Sequence, residues 1–457
     1  MTEDLSRDFG GLIRRRPGQV VRPRSAREVA DVLRSASLEG NPVSTRGAGH
    51  SQNGQSLSDG GLLLDLRSLD RIETIDVEGQ WVEAGAGTLW RDLVAAVADQ
   101  GLLPPVLTDN LGVTLGGTAS VGGVGPASFR HGLQAGHCLA LEVATPDGRL
   151  VRCSRDEHPE LFEHVLCGLS QFGVITRVRH RLRRYRRHTW THQLLYEDLG
   201  RFLADIRRCA AEERADFLDG WALPDRQGPG KRWCYQLLLT VESETPPAAG
   251  MLDGLLFDRR LADTDRPTLD HVHRLEPSFE RTRTSGGDKV HPWVELFLPF
   301  ASVPAFTAEI LPRLGDGISV LFWPLRTDRR RLPMFVTPPD DLVLLVGLFS
   351  SLAPKELPRH LPVLRRASEL GIELGGKRYL SGWVDFDADG WRRHFGERWP
   401  GVRRAKRAFD PKGLLNPGFL MEPEWGKDVP HGTPSEPSPG RGLGRRWETG
   451  VATSRRA

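Results

Sequence analysis

Residues Thr45 to Ser56 read TRGAGHSQNGQS. Glycines at 47 and 49 let the backbone turn sharply and aim several N–H groups at one point, an arrangement that suits phosphate. The spacing is neither that of a Walker A loop nor that of a dinucleotide fingerprint. His50 lies inside the loop, where an imidazole can be a nucleophile or ligand, or simply a surface or capping group. On its own residues the loop stays open between a pyrophosphate cradle and an ordinary turn.

Outward from the loop, helices and strands alternate. Ser25 to Gly40, SAREVADVLRSASLEG, begins with Ser25 and Glu28 in capping-box spacing, carries apolar residues at helical intervals and stops at glycine. The run PVSTR precedes the loop as a strand, and LLLDL, Leu62 to Leu66, follows it as another. RIETIDVEGQWVEAGAG reads as two strands joined near Glu78 and Gly79, and Thr88 to Gln100 as an amphipathic helix closed by Gly101. Two strands meet at the Pro146-Asp147-Gly148 turn, a second capping box at Ser154 and Glu157 predicts another helix, and FGVITRVRHRL predicts a strand. Residues 1–185 are therefore expected to form one dense α+β unit. Arg177, Arg179, Arg181 and Arg183 fall two apart on one strand face, solvated or anion-binding. Residues 186–374 mix strand-like runs such as YQLLLTVE and DLVLLVGLF with the helical KELPRHLPVLRRASEL and predict a second domain. The tail, 425–457, is rich in Pro, Gly and Ser and is expected to be disordered.

Composition narrows the function classes. A chain of 457 residues exceeds one ordinary core, and two domains are expected. With 62 Lys and Arg against 59 Asp and Glu, the net charge of +3 gives no ground for nucleic acid. Five cysteines without a C-x-x-C pair argue against a disulfide framework and a zinc site, so no metal is expected. The N-terminus lacks an apolar targeting core and no window is apolar enough to span a bilayer, which predicts a cytoplasmic protein without a membrane segment.

The second informative stretch is LTDNLGVTLGGTASVGGVG, with Asp109 ahead of Gly116, Gly117, Gly122, Gly123 and Gly125. Two such loops in one unit point to a long, multi-phosphate cofactor approached closely by backbone; the alternative is a pair of structural turns. Asp109, in a TDN triplet, is either a functional carboxylate or a turn residue.

RGAGHSQNGQS, LTDNLGVTLGGTASVGGVG, FRHG at Phe129 to Gly132, LFEHVLCGLSQFGVITRV, HPWVELFLP and FDPKGLLNPG occur in this order. Together, from about Arg22 to Gly418, they resemble the cytokinin dehydrogenases, within the vanillyl-alcohol-oxidase or PCMH-type flavoproteins. The resemblance implies a two-domain α+β fold: an FAD-binding domain built from residues 1–185 and a C-terminal return, 375–424, with an inserted substrate domain on an antiparallel sheet with helices. It implies FAD bonded covalently to His50. Arg46, Gly47, Ala48, Gly49, Ser51 and Gln55 would line the flavin and pyrophosphate side. Asp109, Thr114, Gly116, Gly117 and Ser120 would continue along the cofactor, Ile175 would lie near its adenine, and Tyr379 and Asn416 would close over the flavin. Asp109 matches the family's acid/base residue, which takes the proton of the substrate amine. Asp219 in DFLDGW is a candidate for a further acidic residue.

This sequence departs from the family at the flavin rim. Gly112 stands near the place of a second, cysteinyl attachment in some relatives, so one bond is expected. Phe419 stands where the family often has glutamine, Trp383 where it has a second tyrosine, and Ser381 where it has proline. The resemblance implies oxidation of the N6 side chain of isoprenoid adenines, with oxygen or a quinone as electron acceptor. Alternatives are a covalent flavoenzyme for another amine or an alcohol, and a flavin-holding protein without turnover.

Overall fold

A computed structural model describes residues 4–225, 232–284, 289–327 and 332–420; the expected disordered tail lies outside them. The first unit opens with a parallel three-stranded sheet in the order Gln19–Val21, Leu62–Asp65, Val43–Arg46. Parallel strands need a crossover connection, and the helix Ala26–Glu39 supplies it. The Glu28 N–H donates to Ser25 Oγ at 3.2 Å, the Glu28 carboxylate takes the Arg24 N–H at 2.9 Å, and Gly40 ends the helix with φ at 68°. Both expected ends of this helix are thus where the sequence puts them.

Five antiparallel strands follow, in the order Ile72–Asp76, Trp81–Gly85, Val174–Arg181, Cys138–Ala144, Leu150–Ser154. The helix expected from Ser154 starts later, at Pro159, and runs to Val165. Ser154 Oγ does accept the Asp156 and Glu157 N–H groups, but only to close a turn. His158 sits at φ 49°, in the left-handed region, which breaks any helix running on from Ser154, whereas Pro159 suits a first helical position. The arginine ladder is neither simply solvated nor an anion site. Arg177 pairs with Glu73 at 3.0 Å, Arg179 with Glu83 at 2.8 Å, and Arg183 with Glu242 of the second unit through two hydrogen bonds at 2.8 and 2.5 Å.

The second unit is an eight-stranded, wholly antiparallel sheet. Its order is Arg259–Pro267, His188–Tyr196, Arg232–Glu242, Phe217–Asp225, Ile318–Arg326, Leu342–Ser350, Val294–Leu298, Lys377–Arg378. Its last strand lies just beyond residue 374, where a boundary was expected. One face is covered by the helices Leu199–Ala211, Val303–Ile310 and Leu357–Glu373, which bury Phe202, Phe306, Leu364 and the inward residues of the strands. The other face turns toward the first unit. No helix among the described residues is long and apolar enough to cross a membrane.

After the helix Trp399–Phe409 the chain returns to the first sheet: the Val43 N–H donates to Leu414 O at 2.9 Å and the Asn416 N–H to Val43 O at 2.8 Å. Lys406 and Asp410 anchor this return as a fully buried pair at 2.7 Å, with Lys406 also donating to Gln171 O and Asp410 accepting the Leu414 and Leu415 N–H groups. Removing one partner of such a pair leaves an uncompensated buried charge. Lys406→Met should therefore lower unfolding stability by about 3–5 kcal/mol. Denaturant or thermal unfolding checks this, and a variant as stable as wild type would show that the pair does not hold the return.

Candidate active site

Between the two units lies a cavity of about 450 Å³, lined by both glycine-rich loops, the inner face of the large sheet and the C-terminal return. Gly47, Ala48, Gly49, His50, Ser51, Gln55, Asp109, Thr114, Gly116, Gly117, Ser120, Ile175, Tyr379 and Asn416 all reach it. Arg46 does not. Its buried guanidinium runs behind the first loop, donating to Arg7 O at 3.2 Å and Ser56 Oγ at 3.4 Å.

The first loop owes its shape to its glycines for two different reasons. Gly49 has φ at 72°, and a Cβ there would run into the Arg46 guanidinium. Gly47 has no such angle; its side chain is excluded because the Thr114 hydroxyl of the second loop lies against it. The N–H groups of Ala48, Gly49 and His50 donate to no other described residue. His50 is half-buried, packed against Phe9, stacked at 3.9 Å between ring centroids, and Trp293 at 5.6 Å. Burial pushes its pKa down to about 4, so the ring is neutral, and its Nε2 is buried without a hydrogen-bond partner among the described residues. A neutral imidazole with an unengaged nitrogen, beside unengaged backbone N–H groups, fits a flavin dinucleotide: one part is a nucleophile, the other an anion cradle.

Asn110, not Asp109, performs the turn function of the TDN triplet, since its Oδ1 accepts the Gly112 N–H at 2.9 Å. That frees the Asp109 carboxyl to face the cavity, where Arg274 Nη2 donates to it at 3.1 Å. The same nitrogen donates to Asp219 at 2.9 Å, and Trp323 Nε1 donates to the other Asp219 oxygen at 2.7 Å. Burial raises the Asp109 pKa to about 6; Arg274 opposes the rise and Asp219 adds to it. Asp219, a candidate from sequence, is thus joined to Asp109 through one guanidinium. Arg274 itself belongs to no motif and lies in the turn between the helices Thr268–Val272 and Glu276–Thr284, so only the fold reveals it.

Tyr379 closes the second loop, its hydroxyl oxygen accepting the Gly123 N–H at 2.9 Å, and Asn416 Nδ2 donates to Leu169 O at 2.8 Å. The first loop is tied to the same return: Asn53 Nδ2 donates to Gly382 O at 2.8 Å and Gln55 Nε2 to Leu380 O at 3.3 Å. Of the departures at the rim, Phe419 and Trp383 are buried away from the cavity, whereas Ser381 lines it. Trp221, Trp293, Trp323, Phe279 and Phe349 make the remaining wall largely aromatic. Sequence reading assigned these no role, although Trp293 stands inside HPWVELFLP.

This combination of a two-loop dinucleotide cradle, a half-buried neutral histidine and a buried carboxyl beneath an aromatic sheet defines an FAD-dependent oxidoreductase of the two-domain PCMH-like fold. Residues 17–154 match the FAD binding domain family, and residues 249–421 match the family described as cytokinin dehydrogenase 1, FAD and cytokinin binding. The chain is 32% identical to an uncharacterised oxidoreductase in the fasciation locus of Rhodococcoides fascians, over 91% of this chain and 95% of that protein. It is 32% identical to cytokinin dehydrogenase 6 of Oryza sativa subsp. japonica, over 91% of this chain and 89% of the relative, and 29% identical to cytokinin dehydrogenase 2 of Arabidopsis thaliana, over 90% of each. Among solved structures, 6-hydroxy-D-nicotine oxidase from Arthrobacter nicotinovorans superposes with a TM-score of 0.70 at 24% identity, covering 90% of this chain and 93% of that one. The chain belongs to the cytokinin dehydrogenase family.

Because Arg274 favours the ionised form of the Asp109 carboxyl, Arg274→Met should raise the Asp109 pKa further. If Asp109 acts as a base, flavin reduction in the wild type rises with pH through about 6, and in the variant the rise should move to higher pH. Stopped-flow reduction across pH checks it; an unmoved midpoint in a folded variant rules out this coupling.

Proposed function

We propose that this protein oxidises the CH–NH bond of the N6 side chain of an isoprenoid adenine to an imine, which water then splits into adenine and an aldehyde. The observation that carries this reading is the Asp109 carboxyl, freed from its turn by Asn110 and held against an aromatic cavity wall by Arg274. Bound FAD supplies the two-electron oxidation. Asp109 takes the proton leaving the amine nitrogen; with a pKa near 6 it is mostly ionised at neutral pH yet basic enough to matter, and such help is worth about 10²–10⁴-fold. Arg274 positions that carboxylate and the tryptophans present flat apolar surface to a purine. The phosphates belong on the first loop's free N–H groups, with Thr114, Gly116, Gly117 and Ser120 along the second, Ile175 toward the adenine and Asn416 at the return. We place a single covalent bond to FAD on His50, supported by its neutral, unpartnered ring.

A second reading, oxidation of a different amine or of an alcohol, draws support from the same fold in a nicotine oxidase and from Ser381 in the cavity wall.

After acid precipitation of the purified protein, the yellow colour should remain in the pellet for wild type and leave it for His50→Ala. Colour retained covalently by that variant would move the attachment elsewhere.

Mixed anaerobically with isopentenyladenine, the wild type should bleach its flavin. Asp109→Asn should keep the flavin but slow bleaching by roughly 10²-fold or more, ~3 kcal/mol in barrier, because the amide keeps the volume but cannot accept the proton. An oxidised flavin in the presence of this compound, with fast reduction by an unrelated amine or alcohol, would select the second reading. A rate within a few-fold of wild type in Asp109→Asn would remove Asp109 as the base.

A further inference from the structure

Glu295 lines the same cavity, and nothing in the reaction scheme above uses it. It is 5% exposed. The Ser381 hydroxyl donates to its Oε2 at 2.6 Å, while Oε1 has no hydrogen-bond partner among the described residues. That oxygen is open to the cavity, where a donor on an arriving ligand can engage it. Strand register sets where it lies: Glu295 is opposite Gly347, Gly347 opposite Leu321, and Leu321 opposite Trp221, two residues beyond Asp219 on one strand face. Glu295 is therefore three strand spacings, about 14 Å, from the strand that carries the Asp109–Arg274–Asp219 cluster. Between the two poles the sheet offers Gly347, whose missing side chain makes room for the Phe349 ring, 2.9 Å from where a Cβ would stand, so the floor there is aromatic.

Among the described residues no cation forms an ion pair with this carboxyl. Arg378, on the neighbouring strand, turns its guanidinium away, donating to Glu295 O at 3.2 Å, to Ser368 Oγ and to Trp383 O. Tyr379 is the other titratable neighbour, and its hydroxyl engages Gly123. The facing loop contributes Asn53 and Gln55, both neutral, and the paired strand contributes glycine.

We infer that Glu295, seated by Ser381, is a second binding pole of the cavity, whose free oxygen accepts a hydrogen bond from a ring N–H at the end of the substrate remote from Asp109. The ligand class is a flat nitrogen heterocycle bearing an N–H; resting on the adenine reading above, that group is a ring N–H of the purine. Proton transfer at Asp109 and recognition at Glu295 are then separate events at opposite ends of one ligand.

Burial raises the Glu295 pKa to about 7, with Ser381 and Arg378 opposing the rise. The ionised carboxylate is a much stronger acceptor of an N–H than the protonated acid, so affinity rises with pH through that value. The experiment uses the FAD-loaded protein and adenine, which cannot be oxidised and does not change charge near neutrality, with binding read from the perturbed flavin spectrum and by equilibrium dialysis. For wild type, Kd should fall about tenfold from about pH 6 to about pH 8. Glu295→Gln keeps an acceptor oxygen that does not titrate, so its Kd should be flat over that range. Glu295→Leu should bind about tenfold or more weakly at the upper pH. Wild type and Glu295→Gln sharing one pH profile would overturn this inference while leaving the adenine reading intact. Wild type failing to bind adenine at any pH would overturn both.

Discussion

Gly47 lies against the Thr114 hydroxyl with no room for a side chain between them, and through this contact two loops that are far apart in sequence become one surface. Thr114 is itself fixed, because its hydroxyl caps the Gly117 N–H at 3.2 Å while the Leu115 and Gly116 N–H groups donate to Thr88 O and Ala86 O at the end of the five-stranded sheet. The first loop inherits that rigidity. Any residue larger than glycine at 47 would part the loops and open the cradle whose free N–H groups face the cavity.

A different economy governs the opposite wall. Arg274 divides one nitrogen between Asp109 and Asp219, so neither carboxylate has a cation to itself. Asp219 takes a second donor from Trp323, and Asp109 takes none from any other described residue. The unequal sharing is why desolvation still dominates at Asp109 and leaves its proton affinity near neutrality instead of deep in the acid range. Two carboxylates in nearly the same place thereby sit in different electrostatic settings, one with two donors and one with a single shared donor.

Much of this was legible in the residues. Periodicity and capping placed the helix Ala26–Glu39 and the strands on either side of the first loop, since these depend on local geometry that neighbouring residues dictate. The ordered motifs led to the residues of the cavity, with Arg46 as the exception whose guanidinium supports the loop from behind. The Ser154 capping box misled, because the left-handed backbone at His158 breaks the helix that the box would start. What the sequence could not yield were partners brought together by the cap sheet: Arg274, Trp323 and the Glu295–Ser381 pair stand on strands and turns whose adjacency is a matter of register, and no short spacing encodes it.

Segments from far apart in the sequence grip the first loop. Phe9 and Gly10 donate backbone hydrogen bonds to Gly49 O and Ser51 O, while Asn53 and Gln55 are held by carbonyls at 382 and 380, and the strand before the loop is zipped to Leu414 and Asn416. During synthesis the segment holding residues 9 and 10 precedes the loop, whereas residues 380–416 emerge more than 300 positions after it. A ribosome-bound chain therefore carries every residue of the loop long before it can give the loop its working shape. The loop's full set of supports thus waits on translation of residues 380–416 and not on translation of the motif alone.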